Sequence, residues 1–231
     1  METLKFLLSD TSKKDLQTLF QTVANELMCN HIIQKGERQY EIVEIEFYYY
    51  SPEHRDVITY PRDMQAGRWF FHPSGVDITF ASQDVGSPQD GKFRYKNAHF
   101  GGVLIRGLRR RSDDGKYIFG PLRCIDELWD NFDAFGILSA NEYPILKEYQ
   151  GVVTPNLRAC KRCINIKEEK QKSKVAEWAG RIGLNWTPAD IENYAKDLFE
   201  DSNKYLYRYF NLPNYESEML INIPSNARPK I

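Results

Sequence analysis

The run from Tyr40 to Tyr50 constrains the fold more than any other part of the chain. β-branched and aromatic residues alternate in it with carboxylates, which is the two-residue period of a half-buried β-strand. Ile42, Glu44, Glu46, Tyr48 and Tyr50 fall in one phase; Glu41, Val43, Ile45, Phe47 and Tyr49 fall in the other. The second set is the more apolar and is expected to face a core. Glu44, Glu46 and Tyr48 then share the opposite face.

Ser9, Asp10 and Ser12 offer caps ahead of Leu16, Leu19, Phe20, Val23 and Leu27, whose spacing predicts a helix with one apolar face, ending near Cys29-Asn30. His31-Ile32-Ile33 and a turn at Lys35-Gly36-Glu37 lead into the long strand. After it, Ser51 to Asp56 and Tyr60 to Asp63 read as loops, and strands are expected at Gly67 to His72, Val76 to Ala81 and Gly102 to Leu108. Between the last two, Ser82 to Asn97 is rich in Gly, Asp and Ser and reads as a long exposed hairpin or loop. Asp113-Asp114-Gly115 is a turn before Tyr117-Ile118-Phe119, and Gly120-Pro121 opens a short helix, Leu122 to Trp129.

The second half is more helical. Lys167 to Ala179 is one charged helix, and Thr187 with Pro188 starts another that runs to Leu198 or Phe199. Tyr205 to Phe210 reads as a short aromatic strand, and residues 215–231 as a loosely held tail. With no repeat, linker or low-complexity block, the expectation is one α+β domain over residues 1–231, a curved and mainly antiparallel sheet with peripheral helices.

Composition bounds the chemistry. With 42% hydrophobic and 13% aromatic residues, the 231-residue chain can build a core without disulfides. The formal net charge of -1 gives no general footprint for nucleic acid, so any basic surface has to be local. Four cysteines are too few for a disulfide scaffold, and no apolar run reaches the ~20 residues of a membrane span. A cytoplasmic monomer with no cofactor and no membrane contact is expected. Cys160-Lys161-Arg162-Cys163 has the spacing of half a zinc site or a redox dithiol, but no second pair completes a zinc site, so two incidental thiols and no metal are expected.

Two constellations bear on function. Arg106, Arg109, Arg110 and Arg111 cluster at a strand end, with Lys92, Arg94 and Lys96 on the preceding segment. They form either a solvated strand end or a phosphate-gripping patch. Glu46 is either the ion-pair partner of Arg106 or a general base. An acidic residue and an aromatic, Tyr48, on one strand face beside loops suggest a pocket for a flat group that can be stacked.

The same residues, in their order, resemble the alkyladenine (methylpurine) DNA glycosylases. Ile42-Val43-Glu44-Ile45-Glu46-Phe47-Tyr48 followed by Pro52-Glu53 is similar to that family's Ile-Val-Glu-x-Glu-x-Tyr strand and its Pro-Glu loop. Arg68 to Gly75, Gly102 to Leu108, Gly120 to Arg123, Arg181-Ile182-Gly183 and Tyr207 to Phe210 resemble its later segments, the order holding over about 180 residues. The resemblance implies that Glu46 activates water against an N-glycosidic bond and that Tyr48 stacks on a flipped base. It implies further that Arg106 lies near that water and the DNA backbone, and that His54 is a second stacking group.

Release of a damaged, alkylated purine from DNA by simple hydrolysis, as in base-excision repair, is therefore expected, with Arg94, Arg109, Arg110 and Arg111 on the backbone. The chain departs from the family where that family carries a wedge tyrosine and a pocket asparagine. Here Val76 to Ala81 and the polar segment after it offer only Phe80, Phe93 and Tyr95. Hydrolysis of a nucleoside or nucleotide, on single-stranded or nucleotide-sized substrates, and a non-catalytic binding module are the alternatives.

Overall fold

The computed structural model describes residues 2–10, 15–89, 92–111, 115–130, 143–150, 157–162, 164–199 and 206–211. Its helices are α1 (Glu2–Ser9), α2 (Leu16–Cys29), α3 (Pro121–Leu128), α4 (Glu168–Ile182) and α5 (Pro188–Phe199). Its strands are β1 (His31–Lys35), β2 (Arg38–Tyr50), β3 (Trp69–His72), β4 (Gly75–Thr79), β5 (Gly86–Gln89), β6 (Lys92–Arg94), β7 (Phe100–Arg110), β8 (Tyr117–Phe119), β9 (Ile145–Glu148), β10 (Leu157–Cys160) and β11 (Arg208–Asn211).

The fold is α+β, a curved antiparallel half-barrel sheet with helices around it. Nine strands form one sheet in the order β10-β11-β2-β7-β4-β3, with β1 bridging β2 to β9 and β8 lying on β7. β2 is 13 residues long, so its edge away from β7 takes two partners in succession: β1 near Glu41 and β11 near Glu46. The polar stretch after β4 carries a separate two-stranded ribbon, β5-β6.

Alternation in β2 does what its pattern predicts from Ile45 to Tyr49; before that a bulge at Val43 reverses the phase, so Tyr40 and Ile42 join the core cluster and Val43, expected there, does not. Phe47 stacks on Phe20 of α2 at 4.4 Å and meets Tyr209 of β11 edge-on at 5.4 Å. Leu19, Phe20, Val23, Ala24, Leu27 and Met28 of α2 are all buried there, each large side chain stabilising the fold by about 1.5–3 kcal/mol.

Several expectations need correction. β2 is not half-buried: Glu41, Glu44 and Glu46 are buried as well, because polar side chains and loops cover the second face. The cap of α2 is Asp15, whose Oδ2 accepts from the Thr18 amide at 2.9 Å; Ser9 and Asp10 end a separate helix, and Ser12 lies outside the described residues. β9 and β10 arise from segments with no strand signal, β9 being exposed along most of its length. The expected tail, residues 215–231, falls outside the described residues, as does Cys163.

α4 ends at Gly183, whose left-handed φ of 85° closes the helix. Before α5, the Thr187 amide donates to Asp190 Oδ2 at 2.8 Å and the Asp190 amide donates to Thr187 Oγ1 at 3.2 Å, a reciprocal capping box. A second apolar cluster joins α4 to the sheet through Tyr50, Val57, Phe100, Ala179 and Ile182. That contact sets α4 over the end of β2 that carries Tyr48.

Candidate functional site

Strand register builds the site. Asp77 of β4, Leu104 of β7, Glu46 of β2, Arg208 of β11 and Cys160 of β10 lie directly across from one another in a single row. Side chains in such a row share a face. Glu46 sits at its centre, 2% exposed.

The carboxylates on this face are matched by guanidinium groups. Arg106 donates from Nε to Glu44 at 2.8 Å and holds Glu46 Oε2 with Nη1 at 3.4 Å. Arg208 donates from Nε to the same Glu44 oxygen at 2.8 Å. The Tyr48 hydroxyl donates to Glu46 Oε1 at 2.5 Å, in the range of a charge-assisted bond. Burial, together with the Glu46 charge, pushes the Tyr48 phenol well above its ordinary value, so it remains a donor. Desolvation of Arg106 works against its charge, but Glu46 and Glu44 outweigh it and hold its pKa above the usual arginine value.

Arg162 completes the setting of Tyr48; by sequence it stood out only as part of the Cys160 to Cys163 segment. Its guanidinium lies between the rings of Tyr48 and Tyr207, 4.2 Å from each centroid. Two bonds of 2.9 Å tie it to Asp56, a third goes to the Phe47 carbonyl, and its Nε stands 3.6 Å from Glu46 Oε1. Asp56 Oδ2 in turn accepts from the Tyr49 amide at 3.3 Å. This ion pair therefore continues the edge of β2 where β11 stops, satisfying a carbonyl and an amide that would otherwise be orphaned. For Asp56, burial alone would raise the carboxyl, but Arg162 outweighs it and holds it below the ordinary value.

Tyr48 also walls a cavity of about 130 Å³, together with Ile58, Tyr60, Arg62, His72, Ser74, Asp77 and Trp178. Arg181 of α4 fixes one wall, donating to the Ile58 carbonyl at 2.9 Å and lying over the Tyr60 ring at 4.3 Å. Arg62 pairs with Asp77 at 2.7 Å, and His72 Nε2 meets the other Asp77 oxygen at 3.0 Å. Gly102 of β7 makes room for that pair: a Cβ there would lie 2.7 Å from Asp77 Cβ and 2.8 Å from Arg62 Nη1. A wider groove of about 1110 Å³ between α1, residues 63–69 and residues 144–146 contains none of the candidate site residues.

Of the residues singled out by sequence, Glu46, Tyr48 and Arg106 come together. Only Tyr48 of the three lines the cavity, and His54 does not: its Nε2 lies 3.1 Å from the Tyr207 hydroxyl, and burial lowers its pKa. Arg109 and Arg111 both bind Glu41, at 2.7 and 2.6 Å, and Arg110 binds Glu127 at 2.7 Å. A phosphate at these three would compete with carboxylates of the chain itself. Arg94 is exposed on β6, beside Phe93, which is 45% exposed.

Among the wedge candidates, Phe80 is fully buried against Tyr49, and Tyr95 packs on Phe100 at 5.5 Å. Asp56, Arg62, Asp77, Arg162 and Arg208 carried no motif of their own, although Arg208 lies inside the Tyr207 to Phe210 segment quoted above. Among the described residues no group of three or more His, Cys, Asp and Glu is placed to hold a metal ion, and no helix is long and apolar enough to cross a membrane. Comparison of the chain with known family models, with curated proteins and with solved structures finds no match to any of them.

Proposed function

We propose that the protein receives a nucleobase-sized flat group in the cavity beside Tyr48 and hydrolyses its N-glycosidic bond, with Glu46 as the essential anion. The observation that carries this reading is the pairing of an aromatic-walled cavity with a carboxylate through one residue: Tyr48 lines the cavity and donates its hydroxyl to Glu46. Cleavage breaks the bond between C1′ and the base nitrogen. The bonding pair leaves with the base, water oxygen bonds to C1′, and its proton ends on the departing base. The sugar carries positive charge at the transition state, and a fixed carboxylate nearby stabilises it.

A damaged, alkylated purine in DNA remains the substrate implied by the ordered motifs. One observation favours a single-stranded or nucleotide-sized form over duplex: Arg109, Arg110 and Arg111 are already paired within the chain. A non-catalytic base-binding module is the second reading. It is favoured by the burial of Glu46, which is not itself among the residues lining the cavity.

The test is release of free base, followed by chromatography, from alkylated duplex DNA, alkylated single strands and modified nucleosides. Glu46→Gln is expected to fold and to lose at least about a hundredfold in rate, the lower end for a positioned acid–base group. Equal release by Glu46→Gln ends the catalytic assignment. Binding without release from any substrate selects the binding module.

A further inference from the structure

Tyr48, Tyr60 and Trp178 are the large flat side chains of the cavity wall, and an arginine already lies on two of them. The Arg162 guanidinium is 4.2 Å from the Tyr48 centroid, and that of Arg181 is 4.3 Å from the Tyr60 centroid. Neither arginine is among the residues lining the cavity, so the faces they cover are not the surfaces that a ligand meets. A cation over a ring is held by the negative π face, and a ring so occupied has less to offer a second cation. What remains for a ligand is the opposite face or the edge, and the edge of an aromatic ring is positive.

The charged groups around the walls act in the same direction. Asp77 holds Arg62 at 2.7 Å, and its other oxygen meets His72 Nε2 at 3.0 Å. Asp56 holds Arg162 with two bonds of 2.9 Å, and Glu46, beside Tyr48, faces Arg106 at 3.4 Å. Each of these carboxylates already has a cation. Arg181 makes no ion pair among the described residues, and its Nη2 donates to the Ile58 carbonyl at 2.9 Å. Glu177, the carboxylate that acts on it, is exposed and bound to Lys174 at 2.7 Å. Burial lowers the pKa of both Arg62 and Arg181, and the Arg181 charge lowers that of Arg62 as well. A further positive charge buried here would have no counterpart.

We infer that the cavity accepts an uncharged flat ring and rejects the same ring carrying a positive charge, with Arg162 and Arg181 setting the preference. This deepens the base-binding reading of the cavity and rests on it. Among alkylated purines it selects those whose alkyl group leaves the ring uncharged. A cation stacked about 3.5 Å above the free face of Tyr48 would stand about 8 Å from Arg162, a repulsion of about thirtyfold in affinity at an effective dielectric of about 20. Asp56 offsets part of this for Arg162, and solvent screens part of it for the half-buried Arg181, so about fivefold is expected from each.

The test compares two probes of one shape, 4-methylpyridine and the N-methylpyridinium ion. They are titrated into the intact protein in mildly alkaline buffer, where the first is uncharged, and followed by amide nuclear magnetic resonance. Wild type is expected to prefer 4-methylpyridine. Part of that preference belongs to the hydration of the cation, so the deciding quantity is its change in Arg181→Met and in Arg162→Met. Each variant is expected to lower the ratio of affinities about fivefold. A ratio unchanged in both variants, or no preference in wild type, overturns the inference and leaves the proposed function standing. If neither probe shifts the resonances of cavity residues at millimolar concentration, the base-binding reading fails and this inference with it. Should one variant not fold, the other decides.

Discussion

Replacing Arg162 by methionine tests whether the covered face of the sheet is held by charge pairing. The substitution keeps an apolar stem between Tyr48 and Tyr207 and removes three things: both 2.9 Å bonds to Asp56, the bond to the Phe47 carbonyl, and the cation over two rings. Asp56 then remains buried, with the Tyr49 amide and the Thr59 hydroxyl, at 3.3 and 3.1 Å, as its donors among the described residues. Removing one partner of a buried ion pair destabilises by about 3–5 kcal/mol, most of it the penalty of the stranded charge. In a chain of this size each kcal/mol moves Tm by about 2–4 °C, so a fall of roughly 6–20 °C is expected.

The double variant Arg162→Met with Asp56→Asn removes the stranded charge and retains a side-chain oxygen for the Tyr49 amide. It is expected to be more stable than Arg162→Met alone by about 1–4 kcal/mol. Urea unfolding of the four proteins closes the cycle. If the two single effects add to within about 0.5 kcal/mol, the pair is not coupled and the account of this face is wrong.

Three further outcomes follow from the same contacts. Asp56 has a folded-state pKa below its unfolded value of about 3.9. Its stabilising contribution is therefore complete above that value and lost as pH falls through the folded pKa, so the stability gap between wild type and Asp56→Asn should narrow in urea titrations below about pH 4. Gly102→Ala is expected to destabilise by about 1–3 kcal/mol in thermal melts, because its Cβ would meet Asp77 and Arg62 at under 3 Å. Gly180→Ala, inside α4 with nothing within 4 Å of the added Cβ, should instead raise stability by about 0.5–1 kcal/mol.

Periodic features were legible in the sequence and pairings across the chain were not. The alternation in β2 located the strand and sorted its faces from Glu44 onward: Phe47 stands on Phe20, while Glu44, Glu46 and Tyr48 share the other side; the bulge at Val43, which turns Ile42 to the core, left no mark in it. Helical spacing found α2, α4 and α5 to within a few residues. Arg162 was hidden because its segment carries a cysteine spacing and no period, and because its partner Asp56 lies 106 positions away. The same limit hid the state of Arg109 and Arg111. A run of arginines looks like free positive charge until the fold brings Glu41, on a strand 68 and 70 positions earlier, alongside them. β9 has neither alternation nor burial to mark it, since it forms by pairing with β1 at the rim of the sheet.

The second face of the sheet has a physical reason to be polar. Four carboxylates (Glu44, Glu46, Asp56 and Asp77) meet four guanidinium groups (Arg62, Arg106, Arg162 and Arg208) there in direct ion pairs. An apolar repacking of similar volume would be no less stable, and such clusters can be retained for geometry rather than energy. Here the geometry converges on Tyr48: its ring is clamped by Arg162 and its hydroxyl is fixed by Glu46. β7 contributes by omission, since Gly107 leaves space for Glu44 as Gly102 does for Arg62 and Asp77. The walls of the cavity are thereby ordered before any ligand arrives, so little binding energy is lost in arranging them. An exposed Glu46 on a flexible loop could not hold Tyr48 in a fixed plane, and a fixed plane is what the proposed recognition of a flat group requires.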